Sequence, residues 1–242
     1  LTGGEPLLRG DIVEVVERVA PYAEEVSMTT NGSLLADKAD RLREAGLKRV
    51  NISLHSASPE TFRRITGQDA LPMVERGISA AIDSGLKPVK LNVVVLKGVN
   101  SGEVPDMIEL SRRAGAILQL IEFQSLMNGE REWDRFYYDL RPVEEMLEGR
   151  SAEVHERALH RRRLYHLEGG GTVEVVRPMH NSLFCRFCTR LRVPSDGRLK
   201  PCLMRDDNLV EAVSLLRRGG PSAALARAFR EAAARREPYW RD

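Results

Sequence analysis

Three successive apolar runs of this chain are interrupted by polar residues at every second position. In "VSMTTN" (26–31), Ser27, Thr29 and Asn31 alternate with Val26, Met28 and Thr30. In "VNISLH" (50–55), Asn51, Ser53 and His55 alternate with Val50, Ile52 and Leu54. In "VKLNVVV" (89–95), Lys90 and Asn92 oppose Val89, Leu91, Val93 and Val95. A period of two predicts strands with unlike faces. A fourth run, "ILQLIEF" (117–123), completes the set, and helical patterns fall near 9–20, 35–46, 59–67, 72–84 and 104–114. Strand–helix–strand repetition of this kind predicts an α/β fold with a parallel sheet, either open or closed as a barrel. Parallel strands covered on both sides normally read as unbroken apolar runs. One polar face can be an ordinary barrel interior; three in succession predict a lumen that receives something polar.

The pattern changes after about residue 125. "MNGEREWDRFYYDL" reads as a loop with aromatic anchors, followed by a short helix around 142–150. The stretch 154–176 reads as two β-runs joined by Gly169-Gly170-Gly171, and two helices are expected near 207–218 and 221–236. We therefore divide the chain into residues 1–125 and 126–242.

Composition narrows the partners. Lys plus Arg number 37 against 35 acids, so the formal charge of +2 gives no argument for nucleic acid. No apolar run approaches the roughly 18 residues of a membrane span. Only six of the cations are lysines, which singles out Lys90 inside a strand. The three cysteines, Cys185, Cys188 and Cys202, form an odd and local set, a poor disulfide framework and a better metal or cluster site in a reducing, cytoplasmic setting.

The spacing is Cys-x2-Cys-x13-Cys in "FCRFCTRLRVPSDGRLKPC". Two thiolates reach one centre from a tight turn, and Asp196-Gly197 predicts a reversal that returns Cys202 to them. Three thiolates leave one ligand position open. Zinc would fill it with a histidine, and His180 lies five residues before Cys185. A four-iron cluster would leave it to a substrate atom. Spacing leaves both readings standing; Arg190 and Arg192 favour the second, because they can place positive charge beside an open site.

"LTGGEPLLR", "TTNG", "VNISL", "VKLNVVVLKGVN", "IEF" and "CRFCTRLRVPSDGRLKPCL" follow one another along nearly the whole chain. In this order they resemble the molybdenum cofactor biosynthesis protein A (MoaA) family, radical S-adenosylmethionine (SAM) enzymes acting as GTP 3′,8-cyclase. "GGEP" alone indicates only the wider superfamily; the cysteine–arginine run is the more specific signal. The resemblance implies a partial (βα)6 barrel followed by a smaller auxiliary-cluster domain. It assigns Gly3, Gly4, Glu5, Ser53 and Gln124 to SAM, with the glycine–glycine–glutamate turn at the SAM amino group. Thr29, Lys90, Arg190, Leu191 and Arg192 go to GTP, and Cys185, Cys188 and Cys202 to an auxiliary [4Fe–4S] cluster. It names no catalytic side chain. A second [4Fe–4S] cluster is expected on a Cys-x3-Cys-x2-Cys segment upstream of Leu1 that would also hold the barrel's first strand, so these 242 residues are expected to be inactive alone.

The family's partners would be an electron donor and a pterin-precursor synthase receiving the product, with room for a homodimer. The sequence departs from the family at Gln124, where many members have methionine, at Gln119 (arginine) and at His55 (aspartate). It also ends at Trp240-Arg241-Asp242 rather than in a glycine pair. The rival readings are another radical SAM enzyme with an auxiliary cluster, such as a peptide-modifying one, and a non-catalytic binding module stabilised by zinc.

Overall fold

The computed structural model describes residues 1–124, 130–219 and 221–241. The described residues form two compact units. The first comprises 1–124, 130–155 and 163–176; the second comprises 156–162, 177–219 and 221–241. Residues 130–155 and 163–176, beyond the expected division at 125, pack with the first unit.

The first unit is a sheet with helices. In chain order it holds α1 (Ile12–Val19), β1 (Val26–Thr30), α2 (Ala39–Glu44), β2 (Leu47–Ser53), α3 (Pro59–Thr66), α4 (Leu71–Asp83), β3 (Val89–Val95), α5 (Val104–Ala114), β4 (Ile117–Glu122), α6 (Glu130–Phe136), α7 (Arg141–Glu148), β5 (Ser151–Glu156), β6 (Arg163–Leu167) and β7 (Thr172–Val176). The last residue of β5 falls in the second unit. Helix α6 occupies part of the stretch read as a loop; residues 125–129 lie outside the described residues.

The sheet runs β1-β2-β3-β4-β7-β6-β5. Strands β1 to β4 are mutually parallel, β7 pairs with β4 in parallel, and β6 turns back antiparallel to β7. Leu1 lies along β1, its ammonium donating to Ser27 O and its carbonyl accepting from Thr29 N. The apolar faces make the core: Val50, Ile52, Leu54, Leu91, Val93, Val95, Leu118 and Leu120 are all fully buried. At about 25 cal/mol per Å² of apolar surface this burial dominates the unit's stability. Helix α3 begins where Ser58 accepts from Thr61 N at 3.4 Å with Pro59 at its first turn, which fixes its start as the sequence predicts.

The second unit contains α8 (Ser182–Arg186), α9 (Val213–Arg217) and α10 (Ser222–Ala234). Its small core is Leu199, Val210, Ala212, Ala228 and Ala232. The helix expected near 207–218 is confined to α9. Val210 and Leu199 instead exchange backbone hydrogen bonds of 2.8 and 3.0 Å, and that pairing defeats local helix preference.

Candidate functional site

Parallel register aligns the polar residues of the first unit into rows. Thr29, Asn51 and Lys90 stand opposite one another on β1, β2 and β3. Ser53, Asn92, Gln119 and Glu174 form the next row on β2, β3, β4 and β7. Asn51 Nδ2 donates to Thr29 Oγ1 at 3.3 Å. Asn92 Oδ1 is buried without a hydrogen-bond partner, an exception among buried polar atoms. Gln124 lies two residues beyond β4 and is half-buried.

Lys90 is 4% exposed and its ammonium is paired with the Glu174 carboxylate, which is fully buried. Gln119 Nε2 donates to the same Glu174 oxygen at 2.6 Å. Lys90, a candidate phosphate ligand, is thus already neutralised within the sheet. Sequence reading missed Glu174. The available signal was a single acid between valines in "TVEVV".

The "TGGEP" turn leads from the Leu1 pairing into a short 3-10 helix at Pro6–Leu8. Gly3 has φ +109°, a conformation other residues rarely adopt, and a Cβ at Gly3 or Gly4 would meet nothing within 4 Å. Their backbone is open to approach. Glu5 behaves differently. Its carboxylate accepts from Leu7 N at 3.0 Å, Thr30 Oγ1 at 2.6 Å and Asn31 N at 2.6 Å. The side chain ties the glycine turn to the end of β1.

His55 takes a left-handed conformation, φ +63°, and burial pushes its imidazole below the usual histidine pKa. Asn100 Nδ2 donates to His55 O at 2.7 Å and holds it in place.

In the second unit Asn181 caps α8, its side chain accepting from Phe184 N at 3.0 Å, so Cys185 sits in a short helix with Cys188 just beyond. The expected reversal is present: Gly197 N donates to Pro194 O at 2.9 Å, and Gly197 has φ +77°. Arg192 and Lys200 then exchange backbone hydrogen bonds of 3.0 and 2.8 Å, which carries Cys202 back along the chain that follows Cys188. The Arg192 guanidinium lies within electrostatic reach of Cys188, Cys202, Arg190 and Arg236. Burial first, and then Arg190, hold its pKa below the usual arginine value. Its Nη1 is buried without an acceptor. Arg236 donates to the carbonyls of Cys188 and Arg190.

His160, also missed from sequence, belongs to this cationic group. It is 3% exposed, its backbone is left-handed at φ +64°, and its ring stacks on Phe184 at 3.9 Å. Burial first, then Arg190, Arg162, Arg192 and Arg236, push its pKa down to about 3. His180, the candidate zinc ligand, packs against Trp240 with ring centroids 4.1 Å apart.

Among the described residues no three of His, Cys, Asp or Glu converge as a single ion would require. A four-iron cluster makes a different demand, one iron for each thiolate. Three partly exposed cysteines, with a buried and unpartnered guanidinium nitrogen beside two of them, fit such an anionic group and an anionic ligand next to it.

Comparison with known proteins shows the family. Residues 1–111 match the Radical SAM superfamily and residues 116–241 match Molybdenum Cofactor Synthesis C. A protein of Thermococcus kodakarensis named "Probable GTP 3',8-cyclase" is 48% identical over all of this chain and 80% of its own length. This chain belongs to the GTP 3′,8-cyclase family of radical SAM enzymes. Relatives with the same name are 46% identical in Pyrococcus abyssi and in Methanothermobacter thermautotrophicus, across 99% of this chain and 80% and 79% of theirs. The fold is accordingly a partial radical SAM barrel with a C-terminal domain, and the superfamily implies SAM and a [4Fe–4S] cluster. No helix among the described residues is long and apolar enough to cross a membrane.

Proposed function

We propose that this protein cyclises GTP to (8S)-3′,8-cyclo-7,8-dihydroguanosine 5′-triphosphate, the first step of molybdenum cofactor biosynthesis. The observation that carries the reading is the Arg192–Lys200 pairing, which returns Cys202 toward the Cys185–Cys188 turn and sets Arg192 beside Cys188 and Cys202. In this reading Cys185, Cys188 and Cys202 hold an auxiliary [4Fe–4S] cluster. Arg190, Leu191 and Arg192 are substrate contacts, as are Thr29 and Lys90 on the sheet. Gly3 and Gly4 offer backbone to SAM, with Ser53 and Gln124 as further contacts. When bound, SAM and the [4Fe–4S] cluster that the superfamily implies supply the radical chemistry. The chain's own groups bind, orient and exclude water. Lys90 meets phosphate as a point charge, whereas the arginines add directed N–H donors. An external electron donor and a synthase that consumes the product complete the reaction sequence, in the cytoplasm.

The test is Arg190→Ala and Arg192→Ala in the complete, anaerobically reconstituted enzyme. A charge-assisted contact is worth roughly 1.5–3 kcal/mol, so GTP affinity by calorimetry should fall about tenfold or more. Iron and sulfide content should not change, because Arg192 pairs with Lys200 through backbone atoms that alanine retains. Unchanged GTP affinity in both variants would overturn these assignments.

A further inference from the structure

We propose that Glu174 is an internal counter-ion that competes with the nucleotide's phosphates for Lys90. With Gln119 it forms a positioning pair that sets how tightly the sheet holds the anion. The inference deepens the reading that this polar face takes GTP, and rests on it.

Lys90 and Glu174 stand on β3 and β7, with β4 between them, and in adjacent rows of the register. The lysine therefore reaches diagonally across the sheet past Gln119. Both partners are buried, with side-chain exposures of 5% and 0%. A buried carboxylate in a chamber for a triphosphate is repulsive unless it is compensated, and taking away the partner of a buried pair leaves a costly bare charge. Gln119 supplies what that exchange needs. It donates to the same Glu174 oxygen that faces Lys90, so the carboxylate keeps a donor when the ammonium turns to phosphate. Glu174 lowers anion affinity, and Gln119 makes the release of Lys90 easier. The two act in opposite directions.

The experiment measures anaerobic binding of GTP and of guanosine to the reconstituted complete enzyme, with steady-state kinetics. Glu174→Gln is expected to bind GTP roughly five- to tenfold more tightly, the low end of ordinary coupling between two sites, and Gln119→Leu about three- to fivefold more weakly. Guanosine, which has no phosphate, should change by less than about twofold in either variant. KM for GTP should follow affinity with kcat nearly constant, since the effect is on ground-state and transition-state binding alike. A merely structural role would shift both variants the same way, or move guanosine together with GTP, and either result overturns the proposal. Should Glu174→Gln fail to fold, Glu174→Asp, whose shorter carboxylate loosens the pair, should tighten GTP in the same sense; weakening there also overturns it. Wild-type enzyme whose GTP affinity is indifferent to Lys90→Met would instead overturn the underlying reading of the polar face.

Discussion

The two units solve the problem of buried polarity in opposite ways. In the sheet, charge is matched by charge: Lys90 meets Glu174, Gln119 supports the pair, and the Glu5 carboxylate satisfies three donors. In the cysteine unit, arginines gather around a buried imidazole. Arg162, Arg190, Arg192 and Arg236 all bear on His160, while Arg192 Nη1 and His160 Nδ1 are buried with no partner. His160 and Arg161 are successive left-handed residues, with φ of +64° and +53°, a conformation that costs of order 1–3 kcal/mol per residue. The difference teaches that the sheet is organised by its own contacts, whereas the cysteine unit keeps buried nitrogens, Arg192 Nη1 and His160 Nδ1, without a partner.

The largest expected effect follows directly. Cys202→Ser should remove most of the iron and sulfide bound by this unit, because two thiolates rarely hold a cluster. Serine in place of a simple buried thiol would change stability modestly and metal content not at all. The check is iron and sulfide per chain with the iron–sulfur absorption band, parent and variant reconstituted together without air. Equal cluster content would take Cys202 out of the site and break the contrast between the units.

Glu5→Ala probes the other side. Losing three bonds to a carboxylate, one of them from nearly buried Thr30, should lower stability by about 3 kcal/mol, given roughly 1.5–3 kcal/mol for each bond to a charged group less recovery by water. Denaturant unfolding at neutral pH measures it. A loss below about 1 kcal/mol would mean that the carboxylate is not a tie between the turn and β1.

What was legible in the sequence was local. Alternation exposed the polar faces of β1, β2 and β3, since a period of two needs no knowledge of partners. Asp196-Gly197 announced the reversal that returns Cys202, because a turn is encoded by adjacent residues. Glu174 was illegible for the opposite reason. It follows Gln119 by 55 residues and Lys90 by 84, and only the parallel pairing of β7 with β4 brings them together. His160 was hidden in the same way, between short elements whose packing no periodicity records. The helix expected near 207–218 shows the remaining failure: local propensity there yields to the Leu199–Val210 pairing.

The smallest effect sharpens the comparison through pH. His160 is held neutral, its pKa pushed down to about 3 by burial and by Arg190, Arg162, Arg192 and Arg236. In the unfolded chain the same ring titrates near the ordinary value of about 6.5. A depressed folded-state pKa means that the unfolded state binds more protons in between. Its contribution is therefore complete above about pH 6.5 and is lost as pH falls toward 3. By pH 5 the loss amounts to about 2 kcal/mol. His55, whose pKa burial also lowers, contributes in the same direction from the sheet, so the two must be separated by substitution. His160→Asn serves: asparagine tolerates the left-handed backbone and does not titrate. Unfolding free energies of the metal-free chain at pH 7.5 and pH 5 should show the parent losing about 2 kcal/mol more than the variant. Equal losses would mean that His160 takes up its proton in the folded state as readily as in the unfolded one, and that the four arginines do not converge on it.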